Sequence, residues 1–238
     1  MKKWKRHVLT ACVVLALAAA ASTVVSIRQS VQAISSFPLQ FQDRILVLDA
    51  GHGGEDGGAV SLSGALESQL NLAIAQRVDD VLGLYGVQVL MLRDEDISLH
   101  SEGADSLREK KVSDLHNRAA TVQAQENAVL LSIHQNSYPD QRYSGAQVFY
   151  APTEGSEPLA QLTQEVLRLA LDPDNDRQCK QIPDTIYLMN HVSCPAILVE
   201  CGFLTNPREE QLLQSGTYQT KLAAALAGAY LYAQTSIQ

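Results

Sequence analysis

Arg44-Ile45-Leu46-Val47-Leu48-Asp49 is an apolar run closed by an acid, and the glycine-rich stretch Gly51 to Gly64 follows it at once. A short apolar run bounded by turn residues reads as a buried strand, and the glycine-rich stretch as a loop. From Leu66 the residues Leu66, Leu70, Ile74, Val78 and Val81 recur at helical spacing, which puts Glu67 in the first turn of a helix. Gly86 stops that helix, and Val87 to Leu92 supplies a second strand. The opening of the globular part is therefore a strand, helix, strand unit.

The alternation continues downstream. Ala128 to His134, Gly145 to Tyr150 and Ala196 to Glu200 read as strands. Asp114 to Gln125, Pro158 to Leu171, Pro207 to Leu213 and Tyr218 to Tyr232 read as helices. Asp94 to Ser113 is charged and lacks an apolar period, so it is expected to be a long surface loop of functional kind. The fold class expected is α/β: one domain, residues 42–238, with a mainly parallel central sheet flanked by helices on both faces.

What precedes this domain differs in character. Residues 1–33 hold five Lys or Arg and no acid, and Val8 to Ile27 is a run of twenty uncharged residues. This is an export signal. Either it is cleaved, with Val31-Gln32-Ala33 as the cleavage site, or it stays as a membrane anchor, for which about 20 apolar residues suffice. Residues 34–41 form a linker, and the body is expected on the extracytoplasmic face. After residue 33 there are 13 basic and 26 acidic residues, a surplus of acid that excludes nucleic acid as a partner. Cys179, Cys194 and Cys201 are an odd number without metal-ligand spacing, so no disulfide framework is expected, although a Cys179 to Cys194 pair stays open.

In an open parallel sheet, ligands gather outside the carboxyl ends of the strands. The first strand runs into His52, another ends on His134, the last ends on Glu200, and Glu67 opens the helix after the glycine loop. Two imidazoles and one carboxylate leave the open fourth position of a catalytic zinc site, and a further carboxylate outside the ligand set can move protons. His52, Glu67 and His134 fit the ligand roles and Glu200 the last. Each has a plainer reading: a hydrogen-bonded structural histidine, or a first-turn acid favoured by the helix dipole. Glu200, directly after an apolar run, needs a partner or a task.

The segments Leu48 to Ala59, Leu66-Glu67, Ser132-Ile133-His134-Gln135-Asn136 and Val199 to Pro207 closely resemble the zinc-dependent N-acetylmuramoyl-L-alanine amidase family, in order and over nearly all of the globular part. The resemblance implies zinc held by His52, Glu67 and His134, with Glu200 as the catalytic carboxylate. It implies hydrolysis of the amide between the lactyl group of N-acetylmuramic acid and L-alanine, so the partners expected are the glycan strand and stem peptide of peptidoglycan. The amino-terminal segment, the inserted Glu102 to Asp114 stretch and Ile186-Tyr187-Leu188-Met189 look most like the spore-cortex members, whose product leads to muramic δ-lactam. Ala50, Ser137 and Cys201 depart from the family pattern without touching a ligand. Three further residues keep two readings each: Asp49 orients His52 or caps the loop, Asn136 meets substrate or makes a turn, and Arg118 is a retained site residue or a solvated ion-pair partner. A non-catalytic wall-binding protein and a zinc peptidase acting inside the stem peptide are the rival functions, and a regulatory partner stays open.

Overall fold

The computed structural model describes residues 44–235. The amino-terminal signal or anchor, the linker and the first two residues of the expected domain lie outside the described residues.

Six strands form one sheet: β1 (Ile45–Ala50), β2 (Val89–Met91), β3 (Ala128–Asn136), β4 (Gln147–Tyr150), β5 (Lys180–Gln181) and β6 (Ala196–Phe203), in the order β2-β1-β3-β6-β4-β5. Pairings are parallel except between β4 and β6, so β4 and β5 run against the other four strands. The helices are α1 (Glu67–Leu84), α2 (Leu107–Gln123), α3 (Ser156–Leu171), α4 (Tyr187–Asn190), α5 (Pro207–Leu213) and α6 (Gly216–Thr235). Successive strand residues point to opposite faces, yet Leu46, Val47 and Leu48 are all buried, as are Val129, Leu130 and Leu131. Both faces must then be covered. Helix α6 packs on α1 and α3, which pack on the sheet, while α2 packs with α4 and with β3. Val47, Leu130, Leu198, Ala119, Val122, Leu188 and Met189 belong to one buried cluster on the α2 and α4 side.

Helix α2 begins seven residues earlier than its apolar pattern suggests. Ser106 accepts from the Glu109 backbone N–H, and the Glu109 carboxylate accepts from the Ser106 N–H, a reciprocal cap that starts the helix at Leu107. About a third of the expected Asp94 to Ser113 loop, from Leu107 onward, is consequently helical. Two short elements, β5 and α4, escape the sequence reading altogether. Among the described residues no helix is long and apolar enough to cross a membrane. Cys179, Cys194 and Cys201 are free thiols.

Parallel pairing fixes the site. In the β3 and β6 register His134 lies opposite Glu200, and in the β1 and β3 register Asp49 lies opposite Ser132. Adjacent strands are about 4.8 Å apart. Two residues 66 positions apart in sequence thus become neighbours at the same sheet end.

Candidate metal centre

The backbone after β1 turns sharply, and His52 takes a left-handed conformation (φ 62°) that a non-glycine residue adopts only under external constraint. Two buried arginines supply the constraint. Arg118 donates to the carbonyls of Ala50 and His52, at 3.0 and 2.8 Å, and Arg93 donates to those of Ala50, Gly51 and Ser68. Carbonyls of the same loop then start α1: the Glu67 N–H donates to Ala59 and the Ser68 N–H to Gly57. Loop and helix are locked together, and Glu67 faces back towards His52.

Three side chains meet there. Glu67 Oε1 lies 3.3 Å from His52 Nε2 and 3.0 Å from His134 Nδ1, and one donor atom from each residue falls within 4.8 Å of the others. Tetrahedral zinc with ligand bonds near 2.0 to 2.1 Å needs donors roughly 3.3 Å apart, so the set has the right chemistry, and the two separations to Glu67 match that spacing. The imidazole rings meet edge to face, 5.1 Å between centroids. Gly51 makes room for one of them, since a Cβ there would fall 2.2 Å from the His134 ring. Glu67 is further fixed by N–H donors: Ala59 to Oε2 at 2.8 Å, and Gln135 and the Asn71 amide to Oε1.

Electrostatics agree with this grouping. Burial alone would raise the Glu67 carboxyl, but hydrogen bonds from His134 and His52 hold it far below the usual carboxylate range. Burial likewise opposes charge on His52, and Asp56 and Glu67 overcome it, raising the ring to about 9. Two carboxylates facing one imidazole form a place where positive charge is wanted.

Glu200 stands beside the cluster, in the same cavity of about 410 Å³. Its Oε2 is sealed from solvent and has no hydrogen-bond partner. Burial pushes its pKa up to about 7; the negative charge of Glu67 adds to this, while His134 and His52 pull against it. Such an orphaned carboxylate is costly unless something enters the cavity to meet it.

Of the remaining expected residues, Asp49 is buried and accepts from Ser132 Oγ at 2.6 Å and from Arg118. The carboxylate on His52 is instead Asp56, whose Oδ2 lies 2.9 Å from Nδ1. Asp49 acts on the loop indirectly, through Arg118. Arg118 is no solvated helix residue: it bridges Asp49, Asp114 and two loop carbonyls. Asn136 ends β3, with its carbonyl accepting from Leu204, and does not line the cavity. Sequence reading missed Asp56, Asn71 and Gln135. The i, i+4 spacing of Asp56 after His52 was the visible signal, but in a loop that spacing carries no geometric rule.

Replacing Arg118 by Met is expected to destabilise the fold by about 3 to 5 kcal/mol, because Asp49 is left buried without its cation. Burial raises the Asp49 carboxyl, but Arg118 and His134 outweigh this and hold it below its ordinary value. Its stabilising share is therefore present above the unfolded pKa and lost as pH falls through the folded one. Urea unfolding should show a large gap between wild type and variant at pH 7, closing below about pH 4.

A model of the N-acetylmuramoyl-L-alanine amidase family matches residues 46–231. The germination-specific N-acetylmuramoyl-L-alanine amidase of Bacillus subtilis (strain 168) is 40% identical over 189 residues, covering 79% of this chain and 78% of that protein. N-acetylmuramoyl-L-alanine amidase LytC of the same organism is 32% identical over 184 residues, covering 76% of this chain and 34% of LytC. Among solved structures, the CwlD amidase from Clostridioides difficile, in complex with the GerS lipoprotein, matches with a TM-score of 0.76 and 36% identity, over 80% of this chain and 98% of that one.

Proposed function

Because the chain belongs to the N-acetylmuramoyl-L-alanine amidase family and is a peptidoglycan amidase, we propose that it works with zinc held by His52, Glu67 and His134 and with Glu200 as its acid and base. The observation that carries this reading is the meeting of His52 Nε2 and His134 Nδ1 on one Glu67 oxygen, with the unpartnered Glu200 oxygen in the same cavity. Zinc, when bound, lowers the pKa of water to about 7 and polarises a carbonyl oxygen.

The side chains of this protein do the rest. Glu200 accepts the proton of the water that attacks the lactyl carbonyl carbon, and the C–N bond to L-alanine breaks as that proton passes to the departing nitrogen. Asp56 holds the His52 ring so that Nε2, and not Nδ1, faces the centre. Arg93 and Arg118 keep the loop in its strained shape through the reaction.

The products are a glycan strand with a free lactyl carboxylate and a stem peptide with a free L-alanine amino group. The likeness to a germination-specific amidase supports spore cortex as the place of action, and so an exported protein. The basic start and apolar run of residues 1–33 support delivery to the extracytoplasmic face of the membrane. A structural relative solved with a lipoprotein supports a protein partner for this chain as well.

Purified peptidoglycan digested with zinc-loaded protein should release intact stem peptides beginning with L-alanine, detected by mass spectrometry, and a chelator should stop the release. Shortened peptides would point to a stem peptidase instead. Release that persists after complete zinc removal would overturn the metal reading.

A further inference from the structure

Asp49, Asp56, Glu67, Asp114 and Glu200 line the cavity around the metal cluster, together with Lys111, Arg118 and the imidazoles of His52 and His134. Arg118 is buried and fully engaged by Asp49, Asp114 and the carbonyls of Ala50 and His52. Lys111 is different. Its side chain is 46% exposed, and its ammonium lies 2.8 Å from Asp56 Oδ1.

Helix α2 explains why Lys111 faces the cavity. Lys111, Asp114, Leu115 and Arg118 follow one another at i, i+3, i+4 and i+7, a single helical face, and all four line the same wall. Lys111 is the first of them and the one nearest solvent; its neighbour Lys110 turns away to Glu55. Thr185 to Met189 line the cavity as well.

The substrate sets an electrostatic problem here. A peptide carboxylate that enters beside the metal cluster meets the carboxylates of Asp56 and Glu200 on the cavity lining, and Lys111 is the exposed ammonium there that can receive it. An ammonium has three donors, and Asp56 engages one, so Lys111 can meet a second carboxylate without releasing the first. An exposed ion pair of this kind contributes little stability, so re-aiming the side chain costs little.

We propose that Lys111 receives a free carboxylate of the stem peptide and thereby sets which peptides are cleaved, an inference that rests on the amidase reading of the same cavity. The test uses two muramoyl peptides that differ at one group: the carboxyl next to L-alanine is free in one and amidated in the other. Wild type should favour the free carboxylate by about tenfold to a hundredfold in kcat/KM, mainly through KM, the range for a hydrogen bond between charged groups. Lys111→Gln should bring the ratio close to one, and Lys111→Arg should restore a preference.

A merely structural lysine, acting through Asp56 on the metal cluster, would slow both substrates equally and leave the ratio intact, and that result would overturn the proposal. So would a wild type that cleaves both substrates equally well. Failure of the zinc-loaded wild type to cleave either one would remove the amidase reading, and this inference with it.

Discussion

Replacing Glu200 by Gln is expected to lower kcat by a factor of about 10² to 10⁴ while zinc content stays at the wild-type level. The two halves of this expectation have separate causes. Zinc content is preserved because Glu200 lies outside the cluster of His52, Glu67 and His134. Turnover is lost because an amide cannot take a proton from water at neutral pH. The change is nearly isosteric, and Glu200 Oε2 has no partner to lose, so the surrounding packing has little reason to move.

The pH profile gives the same test a second reading. Burial pushes the Glu200 carboxyl up to about 7 before any cation is present, and a cation held by the cluster draws it down again. The ionised form is the one that accepts a proton, so activity should fall as pH drops below that pKa. Any residual activity of the Gln variant should lack that acid limb. A variant with wild-type turnover, or one that loses zinc together with activity, would contradict the role given to Glu200.

The parts of the molecule that were readable in sequence are those where burial and chemistry coincide. Strands β1, β3 and β6 each show an apolar run because helices cover both faces, and each passes directly into a polar site residue. The strand-end rule for parallel sheets then brings His52, His134 and Glu200 together without a distance being known. Asn206 and Pro207 mark the start of α5 equally openly, with the Asn206 side chain accepting from the Arg208 and Glu209 N–H groups.

Other parts lacked a local signature. The first two turns of α2 are mostly polar and exposed, with only Leu107 and Val112 apolar, so no apolar period shows there, and only the Ser106 and Glu109 cap betrays the helix. That reading as loop hid Lys111, whose place on the cavity wall depends on the helix phase. The reversed direction of β4 is a tertiary fact, since strand pattern does not encode orientation. Asp49 and Asp56 show the same limit at the level of one bond. Both are acids near His52 in sequence, and only the turn after β1, folded back by Arg93 and Arg118, decides that Asp56 reaches the ring.

His134→Ala should abolish both zinc retention and stem-peptide release, and the reason for choosing this ligand lies in what each ligand does besides binding. Glu67 accepts from Ala59, Asn71 and Gln135, so its removal would orphan several buried donors and unsettle the loop itself. Taking away the His134 ring removes one of the three donors while Glu67 keeps those other bonds. Loss of function in this variant can therefore be separated from loss of fold. The wild type should be stabilised by zinc through mass action, by about 2.7 kcal/mol at a zinc concentration a hundred times the dissociation constant. The Ala variant should show no such shift in thermal unfolding, a metal content near zero after gel filtration, and no released stem peptides. If it keeps its zinc, the third ligand is another residue and the centre must be redrawn; if it unfolds without zinc where the wild type does not, His134 is holding the loop and not the metal.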